Sequence, residues 1–249
     1  MPPEILYCGD THLQNAACYL AGLLCQSEQA FRYRASDQSL TSSDLTGELR
    51  LIILSDFPSA RCDQDCQRRI VSLVEQGAGL LMLGGWESYH GLGGDWGHTE
   101  VGEILPVTVS ATDDRLNSDQ PLLVRANGLH AITSNLPWTD RPPYVGGLNR
   151  FAAKAGSDVL LEVDRLRATR FADDWSFDVD ATWPLLVVGK HGLGRTAAFA
   201  TDVAPHWVGG FVDWGSSRVS ARAPDADAIE VGNLYAQFFL QLIRWTKGD

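Results

Sequence analysis

Three aspartates in this sequence each stand directly after an apolar run. Asp10 follows Ile5-Leu6-Tyr7-Cys8-Gly9, Asp56 follows Leu51-Ile52-Ile53-Leu54-Ser55, and Asp202 follows Ala197-Ala198-Phe199-Ala200-Thr201. A fourth run, Gly79 to Leu83, ends in Gly84-Gly85-Trp86. If the runs are neighbouring parallel strands, their polar followers gather at one edge of the sheet, where open parallel sheets bind ligands. Asp10, His12, Gly84, Gly85, Trp86, Asp202 and His206 are therefore the candidate ligand-binding residues, with Tyr89 and His90 beside them. Carboxylates facing aromatic rings suit a sugar or a flat apolar ligand, and equally a protein surface. Each residue also has a plainer use. Asp10 serves equally as a helix cap, and capping is the first expectation for Asp56. Gly84-Gly85 offers backbone N–H groups to an anion, but a tight turn is the first expectation, since no complete GxGxxG follows.

Other reactive groups are less organised. The five cysteines, Cys8, Cys18, Cys25, Cys62 and Cys66, are odd in number and end at residue 66, which argues against a disulfide framework. Cys8 falls inside an apolar run, where a thiol is buried and inert. Cys18 and Cys25 lie on an apolar helical stripe and are expected to be buried as well. Cys62 and Cys66, four apart, lack the two further ligands a zinc site needs, so no metal and no cofactor is expected. Gly189-Lys190-His191-Gly192-Leu193-Gly194 superficially resembles a phosphate loop but sits between two strand-like runs and reads as a hairpin turn.

The elements that position these groups read clearly in the first half. Apolar runs at 4–8, 31–34, 49–54 and 79–83 alternate with helical periodicity over 12–26 and 63–76. This alternation predicts an α/β fold with a flavodoxin-like, doubly wound, mainly parallel sheet. From about residue 106 to 185 the texture is β-rich, with strands at 105–109, 121–124 and 159–163. Strands at 184–191 and 195–200 follow, and a helix over 227–246 closes one α/β domain spanning 1–249.

The net charge of −11, with no Lys/Arg cluster to offset it, argues against nucleic acid and anionic membrane surfaces as partners. The sequence opens Met1-Pro2-Pro3-Glu4 without a basic or apolar leader, and the expected location is the cytoplasm. Seven of the eight tryptophans, Trp86, Trp96, Trp138, Trp175, Trp183, Trp207 and Trp214, read as lying in or beside loops, and Trp245 as core. Trp207, Phe211, Val212 and Trp214 crowd one Gly-broken segment. Such a segment either contacts a partner, a second copy included, or lids the strand ends, or folds back as core.

Two stretches carry a family likeness. Glu75-Gln76-Gly77-Ala78-Gly79-Leu80-Leu81-Met82-Leu83-Gly84-Gly85-Trp86-Glu87-Ser88-Tyr89 runs on through Gly93-Gly94 to Gly102-Glu103-Ile104-Leu105-Pro106-Val107. Pro184 to Asp202 is the second, and Leu54-Ser55-Asp56-Phe57-Pro58 fits the same pattern. Together they resemble the class I glutamine amidotransferase-like proteins related to the trehalose-utilisation type. The resemblance implies a nucleophilic cysteine at the turn after the central strand, and a late histidine with a glutamate two residues on. Here those places hold Gly84-Gly85 and Thr201-Asp202-Val203. The expected function is a module without glutaminase chemistry that binds a small molecule or a protein; the alternative is a hydrolase using Asp10, His12, Asp202 or His206.

Overall fold

A computed structural model describes residues 3–249. In chain order the first half forms β1 (Ile5–Gly9), α1 (Cys18–Gln26), β2 (Phe31–Arg34), β3 (Leu51–Ser55), α2 (Gln64–Glu75), β4 (Gly79–Leu83) and α3 (Glu100–Ile104). The second half forms β5 (Val107–Thr108), β6 (Arg115–Ala126), β7 (Tyr144–Asn149), β8 (Ala152–Ala153), β9 (Asp158–Phe171), β10 (Asp174–His191), β11 (Gly194–Phe199), α4 (Pro205–Val208), β12 (Arg218–Ala221), β13 (Ile229–Gly232) and α5 (Asn233–Lys247).

One nine-stranded sheet runs β2-β1-β3-β4-β11-β10-β9-β6-β7. The first five of these strands are parallel. The remaining four continue the same sheet antiparallel. β1, β3 and β4 are buried along their whole length, so they read as unbroken apolar runs instead of alternating ones. Each Leu or Ile so buried contributes roughly 2 kcal/mol. α2 starts where the Asp63 carboxylate accepts the Cys66 amide at 2.8 Å, buries Cys66, Ile70, Leu73 and Val74, and stops before Gly77 in a left-handed conformation. α5 lies against β3, β4 and β11 and packs beside α1, while α2 packs against α3.

Several expected elements shift. The helix expected over 12–26 is regular only from Cys18, because the preceding residues close i→i+3 bonds, Asn15 to His12 and Cys18 to Asn15, which wind too tightly for an α-helix. The last helix begins at Asn233 and not at 227. The β-branched stretch Ile229-Glu230-Val231 pairs instead with β12 as a small hairpin. Cys25 is exposed, in the last turn of α1 on the side away from the core. Trp183 sits well within β10 and not in or beside a loop, whereas Trp175 stands at the start of β10 next to its turn and Trp207 in the short α4. The segment 207–214 is core. Trp207, Phe211, Val212 and Trp214 are buried. Trp214 and Phe211 pack with Trp138 and Phe238. The indole N–H groups of Trp207 and Trp214 each donate at 2.7 Å, to Asn117 Oδ1 and the Arg141 carbonyl. Folding back satisfies both the apolar rings and their polar edges, which is the core alternative of the sequence reading.

Candidate functional site

β1, β3, β4 and β11 are consecutive in the sheet and parallel, so Asp10, Asp56, Gly84-Gly85 and Asp202 all leave it at the same edge. Asp10 and Asp56 turn there with φ of 43° and 50°, a left-handed conformation that aspartate tolerates better than most residues. Neither caps a helix. The Asp10 carbonyl accepts the Tyr33 hydroxyl at 2.6 Å and the Ser36 amide at 3.1 Å. The Asp56 carboxylate reaches across to the β4 turn and accepts the Glu87 amide, while its own amide donates to Ser88 Oγ at 3.0 Å. The Asp202 carboxylate closes its own turn, its Oδ1 accepting the amides of Val203 and, at 3.0 Å, Ala204 ahead of α4.

The turn after β4 is built by close approach. A Cβ on Gly84 would lie 2.1 Å from the Ala200 carbonyl oxygen, and one on Gly85 would lie 2.5 Å from Asp56 Oδ1. A side chain at Gly84 would run into the Ala200 backbone, and one at Gly85 would require the Asp56 carboxylate to move, so neither place is shaped for the cysteine that the resemblance puts at this turn. The backbone donors are also engaged: the Gly84 amide bonds the Thr201 carbonyl at 3.0 Å and the Gly85 amide bonds Asn149 Oδ1 at 2.9 Å. Asn149, wholly buried, donates back to the Gly85 carbonyl at 3.2 Å and to Asp114 Oδ1 at 2.8 Å. Buried Asp114 in turn accepts the His90 and Gly91 amides, both at 3.0 Å. The glycine pair is thus a tight turn and not an anion cradle.

The electrostatics of this edge are unusual. Burial, reinforced first by Asp202 and then by Asp56 and Glu87, pushes the Asp10 carboxyl up to about 8. Burial pushes Asp202 up to about 7; the Asp56 charge adds to this, while the Val203 and Ala204 amides oppose it. Asp56 rises to about 6, again through burial, with the Glu87 amide and the charge of His206 holding it down. None of the three carboxylates has a salt-bridge partner among the described residues. Polar atoms around them are poorly paired too: Asp10 Oδ2 and Thr201 Oγ1 are buried without a hydrogen-bond partner, and the Tyr7 and Ser55 hydroxyls have only each other. Burial above all, with the nearby charges of Asp10, Tyr33 and Asp202, holds the Tyr7 phenol protonated. Buried polar atoms are nearly always paired, so this group of poorly paired ones at one sheet edge stands out.

Trp86, 42% exposed, and His206 follow β4 and β11, their rings 6.4 Å apart. The Arg115 guanidinium lies 4.6 Å over the Trp86 ring. His12 is exposed. Neither imidazole, His12 or His206, makes a hydrogen bond or ion pair to a carboxylate among the described residues, so the pairing expected of a carboxylate–histidine hydrolase is absent from them. Cys8 is fully buried, and burial pushes its thiol up, the opposite of an activated nucleophile. Burial also raises the Cys62 thiol, to about 12, and among the described residues no group of side chains is arranged to hold a metal ion. A groove of about 670 Å³ between β6 and residues 133–142 lies elsewhere and contains none of the candidates.

Asp10, Asp56, Asp202, Gly85, Trp86 and His206 were legible as followers of apolar runs. Asn149, Asp114, Arg115, Tyr7, Ser55 and Thr201 were missed. Ser55 and Thr201 directly precede two of the aspartates and were within reach of the same argument. Asn149 and Asp114 come from the β-rich half, where nothing in the sequence announces which residues approach the β4 turn.

Comparison with known proteins agrees with this architecture. A cytoplasmic protein from Salmonella typhimurium superposes with a TM-score of 0.73 at 20% identity, covering 98% of each chain. A second cytoplasmic protein from the same organism gives 0.73 at 23% identity, over 97% of this chain and 98% of that one. A ThuA-like protein from Bacteroides uniformis gives 0.52 at 12% identity, over 97% and 90%. At these identities the likeness speaks for the fold alone. No curated protein matches the sequence. Residues 32–220 match the family GATase1_like, "Putative glutamine amidotransferase". With more than half of its length so matched, the chain belongs to the glutamine amidotransferase-like family.

Proposed function

We propose that this chain is a ligand-binding member of its family without glutaminase chemistry, and that the strand-end site takes a small organic cation. One observation carries the reading: three carboxylates from three strands share one edge with no cation paired to any of them. Gathering like charges in a poorly solvated place is costly, and a positive ligand offsets that cost. An ammonium or guanidinium group fits better than a metal ion, because the carboxylates do not converge as a coordination sphere. The buried hydroxyls of Tyr7, Ser55 and Thr201 supply further acceptors, and Trp86 already carries one guanidinium on its face.

The test is calorimetric titration with putrescine, agmatine and arginine, against glycerol and trehalose as neutral polyols. Binding of a cation should release protons, because a nearby positive charge lowers the carboxyl pKa values. The released protons are counted by repeating the titration in buffers of different ionisation enthalpy. Asp10→Asn and Asp202→Asn should each weaken binding about tenfold or more. Saturable binding of a polyol, with none by the three cations, would replace this reading with a neutral-ligand site.

A further inference from the structure

The last residues of β6 are paired on one side only. The Asn127 amide bonds the Leu160 carbonyl at 2.9 Å, so by the alternation of an antiparallel ladder Leu123 and Arg125 also bond toward β9. Leu122, Val124 and Ala126 turn their N–H and C=O groups the other way, toward β7 and the residues just before it. There the Val124 amide reaches the Pro143 carbonyl at 2.9 Å, and the ladder stops. Pro143 has no N–H to return to the Val124 carbonyl. The same register would set Arg141 opposite Ala126, but both main-chain groups of Arg141 are used elsewhere. Its amide bonds the Pro137 carbonyl at 3.0 Å, and its carbonyl accepts the Trp214 indole at 2.7 Å. Among the described residues the Val124 carbonyl and both main-chain groups of Ala126 are left without a partner on this side.

This open stretch lines the groove of about 670 Å³ between β6 and residues 133–142. Open sheet edges accept a further strand, and proteins usually cover them. Here the covering segment is held off. Trp138 is buried with its indole bonded to the Thr133 carbonyl at 2.8 Å, and prolines at 137, 142 and 143 remove the donors that would close onto β6. The volume is that of a pocket for a small ligand. Leu123 and Leu136, half-buried, and the fully exposed Leu129 give the lining its apolar surface. Its charges are unbalanced. Arg125 is held by Glu162 at 2.7 Å and Asp164 at 3.2 Å, whereas Asp140 joins no salt bridge among the described residues.

We propose that this groove binds a short extended peptide, which adds a strand to β6 at Ala126 and sets a basic group beside Asp140. A peptide backbone carries the matching set of groups: its C=O accepts the Ala126 N–H, and its N–H donates to the Ala126 or Val124 carbonyl. Main-chain pairing of this kind supplies affinity, and the alternate side chains supply selectivity. Those facing Leu123 and Leu136 are apolar. The uncommitted Asp140 carboxylate favours a basic peptide over an acidic one. None of Asp10, Asp56 and Asp202 lines the groove, so the peptide site stands whether or not the strand-end carboxylates take a cation.

The experiment is fluorescence anisotropy of the full chain with a panel of fluorescein-labelled pentapeptides in which valine or leucine alternates with lysine or arginine. At least one peptide should bind saturably, with a dissociation constant of about 100 μM or tighter. That peptide is then made in two forms, each N-methylated on one set of alternate residues. A strand turns only alternate N–H groups to its neighbour, so one form should lose about tenfold or more and the other should still bind. Ala126→Pro deletes the open donor without touching the β9 ladder. It should weaken binding about tenfold or more and leave far-ultraviolet circular dichroism unchanged. Asp140→Lys, at an exposed residue, should weaken it about threefold or more. Failure of the whole panel overturns the proposal. So does equal binding of the two N-methylated forms, or binding that survives both substitutions, since either would mark charge attraction to an acidic chain and not a strand at β6.

Discussion

Asn149 grips the Gly85 peptide from both sides, accepting its amide at 2.9 Å and donating to its carbonyl at 3.2 Å. The same side chain donates to Asp114. One residue of β7 therefore ties the β4 turn to the antiparallel half of the sheet. Replacing it strands several buried groups at once. Asn149→Ala should cost about 2–3 kcal/mol in urea unfolding, the penalty of leaving buried partners unmet. Asn149→Asp should cost more at about pH 8 than at about pH 5, because it sets a second carboxylate against Asp114. Equal costs at the two pH values would mean the Asn149–Asp114 contact does not form.

The close packing of Gly85 against Asp56 gives a second expectation. Gly85→Ala places a methyl 2.5 Å from Asp56 Oδ1 at a φ of 156°, and should destabilise by about 1–3 kcal/mol. Asp56→Gly removes the clashing carboxylate and suits the left-handed φ of that position. In the double variant the cost of Gly85→Ala should shrink. A double-mutant cycle checks this, and simple additivity would contradict the contact.

The three raised carboxyl groups predict an inverted pH dependence. A folded pKa above the unfolded value, about 4 for aspartate, means that the folded state binds more protons, so stability falls as pH rises. Asp56, Asp202 and Asp10, at about 6, 7 and 8, spread this loss from about pH 4 to about pH 8. The stabilisation is fully present below the unfolded pKa and gone above the folded ones. Urea midpoints should decline across this window, and Asp10→Asn or Asp202→Asn should flatten the decline. A midpoint that rises from about pH 5 to about pH 8 would show that the cluster is not buried as described.

Glutamine should not be a substrate. Incubation with it should release no ammonia above buffer, and Cys8→Ser should change nothing, since Cys8 is a buried strand residue. Turnover that Cys8→Ser abolishes would relocate the active centre to β1.

The buried tryptophans give a last expectation. Trp207→Ala with Trp214→Ala should leave the mass in light scattering unaltered and lower the melting temperature sharply, at about 3–5 kcal/mol per ring. Loss of an oligomer with an unchanged melt would mean that these rings face outward.

How far the sequence leads depends on what kind of residue marks each element. Leu51–Leu54 and Leu80–Leu83 are buried on both sides, and a run of such residues has few other readings, so the parallel strands and the aspartates after them were legible. The antiparallel half was not. In 164–171, Asp-Arg-Leu-Arg-Ala-Thr-Arg-Phe, the charged residues reflect a ribbon open to solvent, and no apolar run announces it. The alternation Trp175-Phe177-Val179 is strand-like, but only pairing with β9 gives it a face. The supports of the site, Asn149 and Asp114, are single polar residues whose meaning lies in a distant turn. Local pattern carries no trace of such long-range partners.

The placement of β11 between β4 and β10 has a consequence for the order of assembly. Thr196 pairs with Leu80 across more than a hundred intervening residues, while β10 joins β11 through a turn of two. Local hairpins close quickly, and distant pairings wait on the entropy of a long loop. During synthesis the nascent chain can lay down β1 to β4 early, yet Asp202 is not delivered to that edge until the whole antiparallel half has emerged. Asp10 and Asp56 therefore spend most of translation in water, free to ionise, and the joint desolvation of the three carboxylates belongs to the final closure. That last step should run faster in mildly acidic solution than in alkaline solution, making the docking of β11 the proton-sensitive stage of folding.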